Sequence, residues 1–219
     1  MILEANELYR FYHSAVSETA ALRGVSFAMA PGEMVAVMGP SGSGKSTLLN
    51  CLAGLDEPDG GHVNIAGERL TRRPEAERAK LRARHIGVLL QAGNLFEHLT
   101  VGDNIRLQMR LAGLPEGQTV RELLGAMGVA GREAAVPGEL SGGETARAGL
   151  AVALAAAPGV LLADEPTAEV DGATEAAIIE ILTGRSANGG ATLVVTHSAA
   201  VAKRADRVIH LQDGKIVNA

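Results

Sequence analysis

The chain has 219 residues, enough to bury one sizeable core without disulfide or metal staples. Its 47% hydrophobic and 21% charged residues exclude wholesale disorder, and 2% aromatics with no Trp argue against a sheet sandwich held by large rings. A net charge of −5 disfavours a constitutive nucleic-acid binder, and a single cysteine, Cys51, cannot close an internal disulfide.

The opening MILEANELYR carries Glu4 and Glu7 and no basic segment ahead of an apolar one, so it does not read as a signal peptide. The long uncharged stretch between Arg147 and Asp164 is shorter than a spanning helix and contains Pro158. We expect no direct membrane insertion.

Short strands are expected at Leu8 to Tyr12 and Leu22 to Met29, joined across the polar HSAVSET segment as a hairpin. Pro31-Gly32 marks a turn, and the apolar MVAVM run of Met34 to Met38 reads as a buried parallel strand. A Gly-rich loop leads into a helix from Lys45 to Ala53. A loop from Asp56 to Gly61, a strand from His62 to Ile65, a charged helix from Pro74 to Arg84 and a buried strand from Ile86 to Leu90 follow.

From Gly93 the character turns helical. Thr100 with Asp103 forms a capping-box pattern ahead of a helix to Ala112, and a second helix runs from Thr119 to Met127. Residues 130–139 read as a loop, and Ser141 with Glu144 repeats the capping pattern before an Ala/Leu-rich helix to Ala157. Then come a strand (Val160 to Ala163), a helix (Gly172 to Leu182), a strand (Leu193 to Thr196), a short helix after His197, and a terminal hairpin turning at Asp213-Gly214. Strands alternating with helices predict a parallel sheet with crossover helices, into which the block from 92 to 157 is inserted.

Gly39-Pro40-Ser41-Gly42-Ser43-Gly44-Lys45-Ser46, with Thr47 behind it, matches the phosphate-loop pattern. Glycines let successive backbone N–H groups turn inward on a phosphate, and the following helix adds its dipole. Lys45 reaches the terminal phosphates, and the Ser46 hydroxyl is a Mg²⁺ ligand. The strand Val160 to Ala163 ends in Asp164 and Glu165, where an α/β sheet opens its ligand crevice. Asp164 suits the metal and Glu165 the attacking water.

Leu140-Ser141-Gly142-Gly143-Glu144 resembles the LSGGQ signature of the ATP-binding-cassette (ABC) ATPases. It offers a second helix N-terminus as an anion site. In that family this site grips the γ-phosphate of ATP bound to the other protomer. The resemblance extends over almost the whole chain. It makes Gln91 the Q-loop glutamine, which senses Mg²⁺ and attacking water, His197 the switch histidine at the γ-phosphate, and Asp171 the D-loop aspartate at the dimer interface. It makes Tyr12 the ring that stacks on adenine, with Tyr9 and Phe11 as competing choices.

The family likeness implies an α/β fold: a P-loop NTPase (RecA-like) core with an N-terminal antiparallel β subdomain and an inserted α-helical subdomain. One ATPase domain is expected over 1–219, with the nucleotide-binding core at 1–91 and 158–219 and the helical signature subdomain at 92–157. It further implies ATP hydrolysis, with ATP and Mg²⁺ bound in sites shared by a homodimer.

Gly54-Leu55-Asp56, Asn94-Leu95, His98-Leu99-Thr100-Val101 and Ala163-Asp164-Glu165-Pro166-Thr167 are similar to the macrolide-exporter and lipoprotein-release subfamily. That likeness implies a membrane permease partner bearing an extracytoplasmic domain, a place on the inner face of the cell membrane, and a role in export or extraction. The alternative is a regulatory role, like that of the subfamily's cell-division member. Glu144 stands where Gln is usual, Val152 where a second Arg usually sits, and the D-loop reads Ala168-Glu169-Val170-Asp171. The acids at 144 and 169 are expected to add negative charge at the dimer interface.

Overall fold

The first strand is longer than its apolar pattern suggests. In the computed structural model, which describes residues 1–13, 18–115, 119–168 and 170–218, β1 spans Leu3–His13 and β2 spans Glu18–Met29. Leu3, Ala5 and Leu8 are all buried, although their spacing is not a regular alternation. The slip arises at a pairing irregularity between Ala5 and Leu8, where Glu7 adopts a φ of 49°. Such a bulge shifts the alternation by one residue and masks the strand from a period-two reading. The tip of the expected hairpin, residues 14–17, lies outside the described residues.

The chain then runs β3 (Met34–Met38), α1 (Lys45–Leu52), β4 (Gly60–Ile65), β5 (Glu68–Arg69), α2 (Glu75–His85) and β6 (Ile86–Leu89). Three helices follow: α3 (Val101–Leu111), α4 (Thr119–Ala126) and α5 (Gly142–Leu154). Last come β7 (Val160–Asp164), α6 (Gly172–Ala187), β8 (Ala191–Val195), α7 (Ala199–Ala202), β9 (Arg207–Gln212) and β10 (Lys215–Asn218). Helix α6 outruns its expected end at Leu182. Thr183 and Ser186 hydrogen-bond their own hydroxyls back to carbonyls of the preceding turn, so they continue the helix rather than break it. The segment expected as plain loop at 130–139 contains two 3₁₀ turns, Ala130–Arg132 and Pro137–Glu139.

Both expected caps form. The Thr100 hydroxyl accepts the Asp103 N–H at 3.1 Å, and Ser141 and Glu144 close a reciprocal box at the start of α5.

The strands form two sheets. One is antiparallel, in the order β2-β1-β4-β5. The other runs β10-β9-β3-β8-β7-β6, parallel except for the edge strand β10. Helix α1 is sandwiched between them: its Leu48, Leu49 and Leu52 share one core with Leu3 and Leu8 of the first sheet and Val35, Leu162 and Leu193 of the second. A second core joins Ile105, Met109, Leu124 and Leu150 of the helical block to Leu161, Val194 and Ile178. Cys51 lies in the first core, and burial pushes its thiol up to about 12, which keeps it protonated and inert. Among the described residues no helix is long and apolar enough to cross a membrane.

Strands β3, β8 and β7 are neighbours and parallel, so Met38, Val195 and Asp164 end on the same edge. Loops leaving that edge converge on one crevice.

Candidate nucleotide site

The crevice is a cavity of about 770 Å³ bordered by the loop between β3 and α1 and by the ends of β7 and β8. Ser41, Gly42, Gly44, Lys45, Ser46 and Thr47 line it, together with Gln91, Asp164, Glu165, His197 and Tyr12. Gly39, Pro40 and Ser43 are not among the lining residues. Ser141, Gly142, Gly143, Glu144 and Asp171 are not part of this cavity.

The Lys45 side chain is almost fully buried, and its ammonium donates to the carbonyls of Gly39 and Pro40 at 2.8 and 2.9 Å. A buried cation held by neutral carbonyls favours an incoming anion. Gly44 precedes α1 at a φ of 102°, and a Cβ there would lie 2.3 Å from the Ala21 carbonyl oxygen. Gly39 is similarly confined, with a Cβ meeting the Leu211 carbonyl oxygen at 2.0 Å. The glycines thus seat the loop tightly against β2 and β9 as well as baring its amides. Ser43 Oγ is buried without a hydrogen-bond partner among the described residues.

Asp164 is the last residue of β7 and is 8% exposed. Glu165 follows with a φ of 49°, a conformation that costs a non-glycine residue about 1 kcal/mol. Its N–H donates to the Val195 carbonyl at 2.8 Å, which pins the turn to the end of β8. The Glu165 carboxylate accepts the His197 backbone N–H at 3.2 Å, and the His197 ring Nε2 lies 3.6 Å away.

Tyr12 is held from behind. Its hydroxyl donates to Asp56 Oδ2 at 2.7 Å, and the Arg10 guanidinium sits 4.8 Å from the ring centroid. Arg10 is itself paired with Asp56 at 2.8 Å and Asp59 at 3.2 Å. Burial first, and the Asp56 carboxylate second, raise the phenol pKa, so Tyr12 remains a donor. Tyr9 packs instead against Gly24 and Gly60, and neither Tyr9 nor Phe11 lines the cavity.

The start of α5 is a separate feature. Ser141 Oγ accepts the Glu144 N–H at 3.3 Å, and Glu144 Oε2 accepts the Ser141 N–H at 2.9 Å. Glu144 Oε1 accepts Arg132 Nε at 2.7 Å. The Ser141 amide, then Arg132, hold this carboxyl down to about 2. Asp171 caps α6 by accepting the Thr174 N–H at 2.8 Å, and that bond lowers its pKa. Glu169 lies outside the described residues.

A family model described as ABC transporter matches residues 22–168, about two thirds of the chain. The chain belongs to the ABC transporter family. It is an ATP-binding ATPase cassette of that family. The dimeric ATP-binding cassette MJ0796, solved in a post-hydrolysis state with ADP and Pi, superposes with a TM-score of 0.93 at 32% identity, over 99% of this chain and 97% of that one. The lipoprotein-releasing system ATP-binding protein LolD of Ruegeria pomeroyi is 42% identical over 91% of this chain and 89% of its own length. The methionine import ATP-binding protein MetN of Brucella abortus is 40% identical over 98% of this chain, which spans only 58% of that protein.

The ABC cassette presents further lining residues that no local pattern announces: Thr19, Ala20, Ala21 and Arg23 from β2, and Asp213 and Gly214 from the β9–β10 turn. Arg23 N–H donates to the Gly214 carbonyl at 2.8 Å, which joins the two sheets at the mouth of the cavity. For a metal, the cavity offers the Ser46 hydroxyl, the Gln91 amide and the Asp164 carboxylate. These are hard oxygen donors of the kind Mg²⁺ takes beside phosphates, so the residues fit the ion.

Proposed function

We propose that this chain is the ATPase subunit of an ABC-type membrane complex, and that it drives export or extraction through a partner permease. The observation that carries the reading is the separation of two anion-binding features on one chain. Lys45, Asp164, Glu165 and His197 surround one cavity, whereas the N-terminus of α5 at Ser141 stands outside it. A site that uses both features takes them from two copies, an arrangement supported by the likeness to a dimeric cassette.

In the proposed site Tyr12 stacks on adenine, and the loop amides from Gly39 to Thr47 cradle the phosphates with Lys45. Ser46, Gln91 and Asp164 hold Mg²⁺, which neutralises phosphate charge when bound. Glu165 accepts a hydrogen bond from the attacking water and receives its proton, and His197 contacts the γ-phosphate. Ser141, Gly143 and Asp171 are contributed by the second copy, with Gly142 and Glu144 completing the same helix start. Backbone amides at that start stabilise charge on the transferred phosphoryl group.

The permease contact is proposed at an apolar groove of about 630 Å³ between α2, β6 and α3. Leu55, Ala83, Leu90, Phe96, Leu111 and Val152 line it, and Phe96 and Leu111 are 59% and 65% exposed. Leu90 in the groove directly precedes Gln91 in the cavity, which couples the two places through one peptide. The groove suits a helical segment of the membrane subunit. The direction of transport rests on the residues shared with the lipoprotein-release subfamily, because LolD and MetN are matched at similar overall identity. Purifying the tagged chain from its own membranes and identifying the companion subunit tests the reading. A permease with a large extracytoplasmic domain supports it, and a substrate-importing permease overturns the export role.

A further inference from the structure

The signature of this cassette ends in a glutamate, and a carboxylate beside the amides that should receive a phosphate is a like charge in the wrong place. The structure shows how this chain meets the difficulty. Both oxygens of Glu144 are engaged: one by the Ser141 N–H at 2.9 Å, the other by Arg132 Nε at 2.7 Å. Arg132 comes from a different element, the 3₁₀ turn Ala130–Arg132, twelve residues away. That turn is fixed in place. Arg132 N–H donates to the Val129 carbonyl, Ala135 N–H donates to the Arg132 carbonyl, and Val101 and Gly102 at the start of α3 donate to the carbonyls of Ala135 and Glu133. The Arg132 side chain is therefore delivered to Glu144 from a braced loop.

The pairing has two consequences. It cancels the charge of Glu144, so the pair has the net charge of the glutamine usual at this position. It also holds the carboxylate on the Ser141 side of the capping box. Within α5 the Glu144 N–H is taken by Ser141 Oγ and the Thr145 N–H by the Ser141 carbonyl. The amides of Gly142 and Gly143, which lack intrahelical partners at a helix start, are those available to an anion. An unpaired carboxylate one residue further on would repel that anion.

We propose that Arg132 is a positioning residue of the signature: it neutralises and orients Glu144, so that a signature ending in glutamate still seats the γ-phosphate of a partner's ATP. The proposal rests on the shared-site reading above. Arg132 touches no nucleotide in it and acts only through Glu144.

A double-substitution cycle in the full-length chain tests this. Each variant is made in a Glu165→Gln background, and ATP- and Mg²⁺-dependent dimerisation is followed by sedimentation, with ATP affinity measured on the monomer at low protein concentration. Arg132→Ala should weaken dimerisation about ten-fold while monomer ATP affinity holds, because the cavity of the same chain is untouched. In a further Glu144→Gln background the same Arg132→Ala change should cost no more than about two-fold, because no carboxylate is left to neutralise. Arg132→Lys, which keeps the charge, should recover most of the loss. If Arg132→Ala dimerises like its parent, or costs as much with Gln at 144 as with Glu, the proposal is overturned. In the second case Arg132 merely holds its loop. Ser141→Arg separates the two layers of the argument. If that variant dimerises normally, or the Glu165→Gln parent stays monomeric with ATP, the shared-site reading itself fails and the proposal falls with it.

Discussion

Glu165 and His197 are joined through the main chain as well as the side chain: the His197 N–H donates to the Glu165 carboxylate at 3.2 Å, with the ring Nε2 3.6 Å from the other oxygen. The same glutamate is pinned by its own N–H to Val195, the last residue of β8. Two neighbouring strands therefore fix one carboxylate at the mouth of the cavity, beside Asp164. A group held this firmly, in a strained backbone conformation, is suited to orient a water.

Replacing Glu165 by Gln keeps the shape and the contact with the His197 amide but removes the proposed base. Steady-state ATP turnover is expected to fall by about 10²-fold or more, with ATP affinity retained. Phosphate release assays and equilibrium binding check the two halves. Turnover close to that of the parent would assign the base elsewhere.

The ring of Tyr12 makes the second prediction. Arg10 lies over one side of it and Asp56 holds its hydroxyl, which leaves the ring presented to the cavity. Tyr12→Ala should weaken ATP binding by roughly 1–3 kcal/mol, whereas Tyr9→Ala should not. Arg10→Ala, which removes the brace alone, should cost a smaller amount, about 0.5–1 kcal/mol. Inorganic triphosphate serves as the control ligand. Its affinity should be indifferent to all three changes, and a parallel loss would show that the ring supports the phosphate loop rather than the base.

What could be read in the sequence was mostly what is contiguous. Gly39 to Ser46 announces a phosphate loop because turn, amides, cation and hydroxyl all fall within one segment, and Asp164-Glu165 is marked by the apolar strand before it. Caps at Thr100 and Ser141 are equally local, since each closes on a residue three positions away. The obscured features depend on distant partners. Thr19, Arg23 and Gly214 reach the cavity only because β2 and the β9–β10 turn meet there, and none carries a pattern of its own. The start of β1 was hidden by the bulge at Glu7, which breaks the alternation of Leu3, Ala5 and Leu8. Glu144 read as an added charge at the interface, yet its balancing partner, Arg132, sits on another element.

The groove beside β6 gives a prediction about the complex. Phe96→Asp and Leu111→Asp put charges on its two most exposed apolar residues. Co-purification with the membrane subunit should drop by about ten-fold, since a charge must be desolvated when a helix packs over it. ATP binding by the isolated chain should be unaffected, because neither residue lines the cavity. Undiminished co-purification in both variants would place the permease on another face.

The proposed shared site has the sharpest consequence. Lys45 belongs to the cavity and Ser141 to the helix start outside it, so their loss should be complementary between chains. Lys45→Ala leaves no cation at the phosphate loop, and Ser141→Arg fills the seat offered to a partner. Each variant alone should be inactive. In an equal mixture neither chain can build a complete site with its own kind, whereas a dimer of one chain of each kind has one complete site, assembled from the Lys45 of one chain and the Ser141 of the other. Turnover should then recover to no more than about half of the parent value, since one site of two is complete in each mixed dimer, and to less if the two sites are coupled. Single-turnover hydrolysis by the mixture, against each variant alone, is the measurement. A chain that hydrolyses ATP at full rate while strictly monomeric, or a Ser141→Arg chain that remains fully active, would show that the α5 helix start plays no part in the site.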